Sequence, residues 1–218
     1  MDRLLDLFIP AILDTLYMVF FSSLFATILG LPLGILAVIT SKNHILPMPK
    51  LNKLLDLLIN VFRSFPFIIL MILVFPLSRL IVGTTIGSTA TIVPLSIAAA
   101  PFVARLIEGA IKEVDGGLIE LSKSLGANNW EVIFKVLLPE ALPALIHSFT
   151  ITIISLIGYS AMAGAIGGGG LGDLAIRYGY QRFQTDIMII SVVVIIIIVQ
   201  IIQALGDLLV KNIKKNRK

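Results

Sequence analysis

Chemistry at a protein site needs a nucleophile with its base, a set of metal ligands or a phosphate cradle, and this chain holds few residues of those kinds. It has no cysteine, which removes thiolate catalysis, disulfides and cysteine-based metal sites. His44 and His147 are too few and too separate to build a metal centre, so no metal is expected. For hydrolysis, Ser155 or Ser160 has no evident partner beyond His147. The glycine run from Gly167 to Gly172 resembles a phosphate loop only in its glycine content, since no Lys followed by Ser or Thr comes after it. The expectation is a chain without catalytic residues and without a cofactor.

What these sparse polar residues sit in is more telling. Hydrophobic residues make up 57% of the 218, only 14% are charged, and mean hydropathy is +1.02. A soluble domain carries roughly a quarter charged residues. With so few charges to cover a water-facing surface, the chain suits an all-α bundle whose outside meets the lipid bilayer. Its 17 basic and 13 acidic residues leave +4, and the distribution of that excess speaks for membrane orientation and against nucleic acid.

Crossing a hydrocarbon core of about 30 Å takes roughly 20 apolar residues in a helix. Charge-free runs of that order lie at Thr15 to Ser41, Leu80 to Ala104, Ala141 to Leu171 and Ile187 to Gly206. A further stretch, about Leu57 to Leu80, carries Arg63 near one end and Arg79 at the other, where long basic side chains can snorkel. The expected architecture is a polytopic membrane helix bundle of five transmembrane helices in a single domain over residues 1–218. Alternate connections divide the basic residues unevenly. Lys42, Lys50, Lys53, Arg105, Lys112, Lys123, Lys135, Lys211, Lys214, Lys215, Arg217 and Lys218 fall on one side; Arg3, Arg79, Arg177 and Arg182 fall on the other. The richer side is cytoplasmic, so the N-terminus is expected outside and the C-terminus in the cytoplasm.

The longest cytoplasmic segment, about Arg105 to Glu140, alternates charged and apolar residues at helical spacing. Asp115 suits a helix start, Gly126 a helix stop, and Asn128 with Glu131 three residues on has the form of a capping box. The segment therefore reads as a short helix, a glycine hinge and a second short helix. Within it, Glu120-Leu-Ser-x-x-x-Gly126 followed by Val136-Leu-Leu138-Pro139 resembles the "EAA" signature of permease subunits in bacterial ATP-binding-cassette (ABC) importers. Leu121 and Ser122 depart from the Ala-Ala of that pattern, while Glu120, Gly126, Leu138 and Pro139 keep type and spacing. The resemblance implies the type I importer permease fold. It also implies that Gly126, Ala127, Asn128, Asn129 and Trp130, with the start of the second helix, dock into a cytoplasmic ATPase that performs the hydrolysis. On pattern alone, an amphipathic helix lying on the membrane surface is the alternative.

Across nearly the whole chain the similarity is to methionine-importer permeases. It is carried by Arg63-Ser-Phe-Pro-Phe-Ile-Ile-Leu, Ile81-Val-Gly-Thr-Thr-Ile-Gly, Ala100-Pro-Phe-Val-Ala-Arg105, Leu137-Leu-Pro-Glu-Ala-Leu-Pro143 and Gly158-Tyr-Ser-Ala-Met-Ala-Gly. This implies a bacterial inner-membrane protein that works as a homodimer on a homodimeric ABC ATPase, fed by an extracytoplasmic methionine-binding protein. Methionine is the implied cargo; another amino acid or small solute is the alternative, then an ion-coupled secondary transporter. The last would be expected to bury acidic residues, and here Asp and Glu fall almost entirely in loops or at span ends.

Tyr159, Ser160 and Met162 lie in a stretch of small residues and are the candidate pathway or gate residues. Met162 has a polarisable thioether that could close a narrow path, or it is ordinary packing. Thr84, Thr85, Ser88, Thr89, Thr91 and Ser96 could line a polar path or bond between helices. Arg63 is expected to snorkel or to pair with Asp56; Gly30 and Gly34 to serve helix contact; Tyr178, Tyr180 and Phe183 to form an interfacial belt that Arg177 and Arg182 could extend to the binding protein.

Overall fold

A computed structural model describes residues 2–215, side chains from Leu4 onward; Met1, Arg217 and Lys218 lie outside the described residues, as does the side chain of Arg3. No strand occurs among them. The helices are α1 (Asp2–Ile39), α2 (Pro49–Ser64), α3 (Phe67–Val82), α4 (Ser88–Lys112), α5 (Gly116–Ser124), α6 (Asn129–Gly164), α7 (Gly170–Leu174) and α8 (Thr185–Lys215).

Helices α1, α4, α6 and α8 are long and apolar enough to cross a membrane, and α2 with α3 makes a fifth span when the pair is taken as one. The expected second span is thus not a continuous helix: it breaks between Ser64 and Phe67 with a bend of 104°. Pro66 is the cause, since it lacks an N–H and drives the residue before it out of helical geometry. Two further boundaries differ from the sequence reading. Thr84 and Thr85 lie in the turn before α4, and the last residues of the expected fourth span form a glycine turn after Gly164 followed by α7.

The second short helix expected in the cytoplasmic segment is not separate either, because its first turns run directly into α6. Inside α6, just after its first turn, Val132–Leu137 winds wider, as a π-helical turn, with the Leu138 N–H donating to the Ile133 carbonyl five residues back. Pro139 supplies no N–H for the carbonyl of Lys135, and a wider turn lets the helix pass such a residue without ending.

The chain forms two compact units. Among the described residues the first comprises 2–26, 65–99 and 151–204, and the second 27–64, 100–150 and 205–215. In the first, Phe8 and Ala11 of α1 pack with Leu171, Leu174 and Ile187. The Thr15 hydroxyl accepts from the Leu171 N–H at 2.9 Å and donates to the Ala11 carbonyl at 2.9 Å, so a buried hydroxyl ties α7 to α1 with both functions used. In the second unit Ala37, Ile59 and Ala104 form the core with Leu33 against it. A Cβ on Gly30 or Gly34 would come within 2.6 Å of the Ala100 or Ala104 carbonyl oxygen, so the two glycines let α1 and α4 touch backbone to backbone.

Candidate functional site

The coupling segment is built from local signals. The Asp115 carboxylate accepts from the Gly117 N–H at 2.9 Å and opens α5. Gly126, at φ 87°, closes it: its N–H donates to the Lys123 carbonyl at 2.9 Å and the Ala127 N–H to the Ser122 carbonyl at 3.0 Å. That pair of bonds is a Schellman stop, and the left-handed φ is why glycine stands there. The chain then restarts with the expected capping box, the Asn128 side chain accepting from Glu131 N–H at 2.9 Å and the Glu131 carboxylate from Asn128 N–H at 3.0 Å. Glu131 also receives Lys135 at 2.9 Å, and this bond, with the Asn128 N–H, holds its carboxyl below the usual range.

Rigidly capped, the segment turns apolar groups outward. Trp130 is 70% exposed and stacks on Phe134 with ring centroids 5.8 Å apart, while Leu121 of α5 and Leu125 at its C-cap are exposed. Large apolar side chains exposed together on a stiff, polar-capped turn are the kind of surface that a protein partner covers. Glu120, Gly126, Asn128 and Pro139 are exposed beside them; Ala127, Asn129 and Leu138 are half-buried.

The pathway candidates divide. Tyr159 is half-buried and stacks on Phe67 of α3, centroids 4.5 Å apart and planes at 11°. Ser160 is buried, and its hydroxyl donates to the Ile157 carbonyl at 2.8 Å, so it is occupied within its own helix. Met162 is 47% exposed. Of the hydroxyls near α4, Ser96 bonds back to its own helix, Thr91 donates to the carbonyl of Gly87 just before α4 at 2.9 Å and to that of Gly168 at 3.5 Å, and Ser88 donates to Asp14 at 3.3 Å.

A charged network accompanies the coupling segment in the second unit. Arg105 donates to Glu108 at 2.7 Å, to Asp56 at 2.9 Å and to Asn60 at 2.8 Å, and Lys112 donates to the other Glu108 oxygen at 2.7 Å. Asp56 is therefore the partner of Arg105, in place of the pairing with Arg63 expected from helical distance. His44, in the turn between α1 and α2, has a buried Nδ1 with no hydrogen-bond partner, and burial together with Lys123 and Lys112 pushes its pKa below the usual value. Among the described residues no group of three or more His, Cys, Asp and Glu is placed to hold a metal.

Residues 30–218 match the family of binding-protein-dependent transport system inner membrane components. The chain belongs to that family. It is 51% identical over 208 residues to the probable D-methionine transport system permease protein MetI of Vibrio cholerae, covering 95% of this chain and 92% of that one. It is 46% identical over 163 residues to the D-methionine transport system permease protein MetI of Escherichia coli K12, with 75% of each chain covered. A solved inward-facing structure of the MetNI methionine ABC transporter superposes with a TM-score of 0.96 at 44% identity, covering 98% of this chain and 99% of that one. The fold of this permease subunit is the type I ABC importer fold.

What the sequence reading missed in the permease is Glu108 and the partner of Arg105. Arg105, Glu108 and Lys112 recur at i, i+3 and i+7, so one charged face on α4 was visible as a spacing. That the face turns to Asp56 and Asn60 was not. In the connection between α7 and α8, Arg177 pairs with Asp173 at 2.6 Å, and Tyr178 lies beneath both Arg177 and Arg182, at 5.3 and 4.4 Å from the ring centroid. Tyr180 and Phe183 are left exposed, as a belt requires.

Proposed function

We propose that this chain is the membrane-spanning subunit of an ATP-driven methionine importer. Two copies form the path, a pair of cytoplasmic ABC ATPase chains performs the hydrolysis, and an extracytoplasmic methionine-binding protein delivers the cargo. Residues 1–218 act as one permease domain, with the N-terminus outside and the C-terminus in the cytoplasm. The coupling contact is made by Glu120, Gly126 to Trp130, Leu138 and Pro139. The path runs past Tyr159, Ser160 and Met162, with the exposed Met162 thioether the group that meets or blocks the solute.

The observation that carries this reading is the doubly capped turn at Gly126 with Trp130 and Phe134 stacked outward from it. A knob stiffened by hydrogen bonds on both sides transmits displacement, whereas a frayed loop absorbs it. The Lys and Arg residues gathered on the same side as this segment, Lys123 and Lys135 among them, support its cytoplasmic placement. The test is uptake of labelled methionine into vesicles holding this chain, its ATPase and its binding protein, with ATP supplied. Uptake is expected only when all three are present. Hydrolysis with transport of a different solute would replace the cargo, and a chain that never associates with the ATPase would end the reading of Glu120 to Pro139.

A further inference from the structure

We propose that Arg105 is a positioning residue for coupling: it ties α2 to the end of α4 so that both follow the coupling helix α5 as one body. The inference rests on the importer reading above. Its basis is a chain of charge-assisted bonds from Asp56 and Asn60 on α2, through Arg105, to Glu108 and Lys112 on α4, each link between 2.7 and 2.9 Å. Lys112 is the last residue of α4, and Asp115, just beyond it, caps α5. The turn between is closed by the Val114 N–H donating to the Ile111 carbonyl at 3.1 Å, so little slack separates the network from the helix that a partner would push.

The types of residue fit this role better than a role in stability. The Glu108 side chain is 6% exposed and lies between two cations; such a pair loses hydration on burial, and a well-packed apolar group in its place would stabilise the fold as much or more. What an ionic fork adds is direction. The planar guanidinium of Arg105 uses one terminal nitrogen for Glu108 on its own helix and the other for both Asp56 and Asn60 on α2. Apolar contacts such as Ile59 on Ala104 permit α2 to slide along α4; the fork permits one register. At its other end α2 is held by Asn52, whose amide donates to the Ala37 carbonyl at 2.6 Å and to the Thr40 hydroxyl at 3.2 Å. Asn52 and Arg105 thus fasten the helix at separate places along its length, and the Arg105 fastening leads to the coupling segment.

The experiment measures methionine imported per ATP hydrolysed by the reconstituted complex of permease, ATPase and binding protein. Arg105→Lys keeps the charge but replaces the two-nitrogen fork by a single shorter ammonium, which does not fix the register of the two helices. It is expected to assemble and hydrolyse ATP while import per ATP falls about tenfold, within the range of ordinary coupling energies. Asp56→Asn is the second variant: half exposed, it leaves Arg105, Glu108 and Lys112 bonded and the fold intact. It is expected to lower the same ratio about threefold, a fraction of such a coupling energy, and Asp56→Glu to retain it. An unchanged ratio in Asp56→Asn overturns the proposal, as does a parallel fall of hydrolysis and uptake in Arg105→Lys, which marks a structural role. Failure of the parent complex to import methionine would instead strike the proposed function.

Discussion

The two ends of α6 are both glycine turns, and they are built on opposite terms. Before α6, Gly126 takes φ 87° with nothing within 4 Å of where a Cβ would sit. After α6, Gly167, Gly169 and Gly170 also take positive φ, but their neighbourhood is filled. A Cβ on Gly168 would meet the Ala163 carbonyl oxygen at 2.7 Å and one on Gly170 the Thr15 hydroxyl at 2.6 Å, while Gly164 and Gly172 lie against the backbones of Asp173 and Ala161. One end needs glycine for its backbone angle alone, the other for angle and space together. An open turn can offer its surface to a partner. A packed turn can only hold its own unit together.

Adding a methyl group to the packed end should produce the largest effect. In Gly172→Ala the new Cβ runs into the Ala161 carbonyl oxygen, a backbone atom that cannot rotate away. The expected cost lies at the upper end of the about 1–3 kcal/mol typical of overpacking, with a lower melting temperature and lower yield of the purified chain. Gly158→Ala, where a Cβ meets nothing within 4 Å, should melt with the parent. Equal melting of the two variants would show that the close approach to Ala161 does not constrain the packed end.

At the open end the same kind of substitution should separate stability from function. Gly126→Val forces a β-branched residue into a left-handed angle at about 1–2 kcal/mol, and the strain is confined to an exposed turn. The turn would relax, the Schellman stop would loosen, and import per ATP is expected to fall while the transmembrane fold keeps most of its melting temperature. Gly126→Asn, a residue that enters the left-handed region more readily, should fall between Val and the parent. Full import by the Val variant would show that the stop is not part of coupling.

Much of this contrast was legible beforehand, and the part that was not has a physical reason. Asp115, Gly126, Asn128 and Glu131 act on neighbours within a few residues, so spacing alone reported the caps that the structure contains. Charge-free runs likewise marked α1, α4, α6 and α8. A hydropathy run does not register Pro66, which leaves the stretch apolar while breaking its helix, and no local rule carries α6 from its start at Asn129 into the span through a wide turn at Val132–Leu137. The partner of Arg105 is set by which faces of α2 and α4 meet, a tertiary fact. Small residues around Tyr159 and Met162 announced close packing, but which of Tyr159, Ser160 and Met162 would remain open depends on helix rotation, and only Met162 is exposed.

The smallest effect expected is electrostatic and belongs to the open end. His44 has its Nδ1 buried without a partner, and burial first, then Lys123 of α5, then Lys112, push its pKa below the ordinary 6.5. The folded chain therefore prefers the neutral ring more than the unfolded chain does. As pH falls through 6.5 the unfolded state takes up the proton first, so stability that is complete above that value is lost progressively toward the lower folded value. Melting temperature should decline between pH 7.5 and pH 5.5, and less steeply in His44→Gln, which has no proton to gain. Lys123→Gln should flatten the decline in part, because it removes the larger repulsion and leaves the burial. Parallel declines in the parent and His44→Gln would place the acid sensitivity elsewhere and leave the turn before α2 without an electrostatic link to α5.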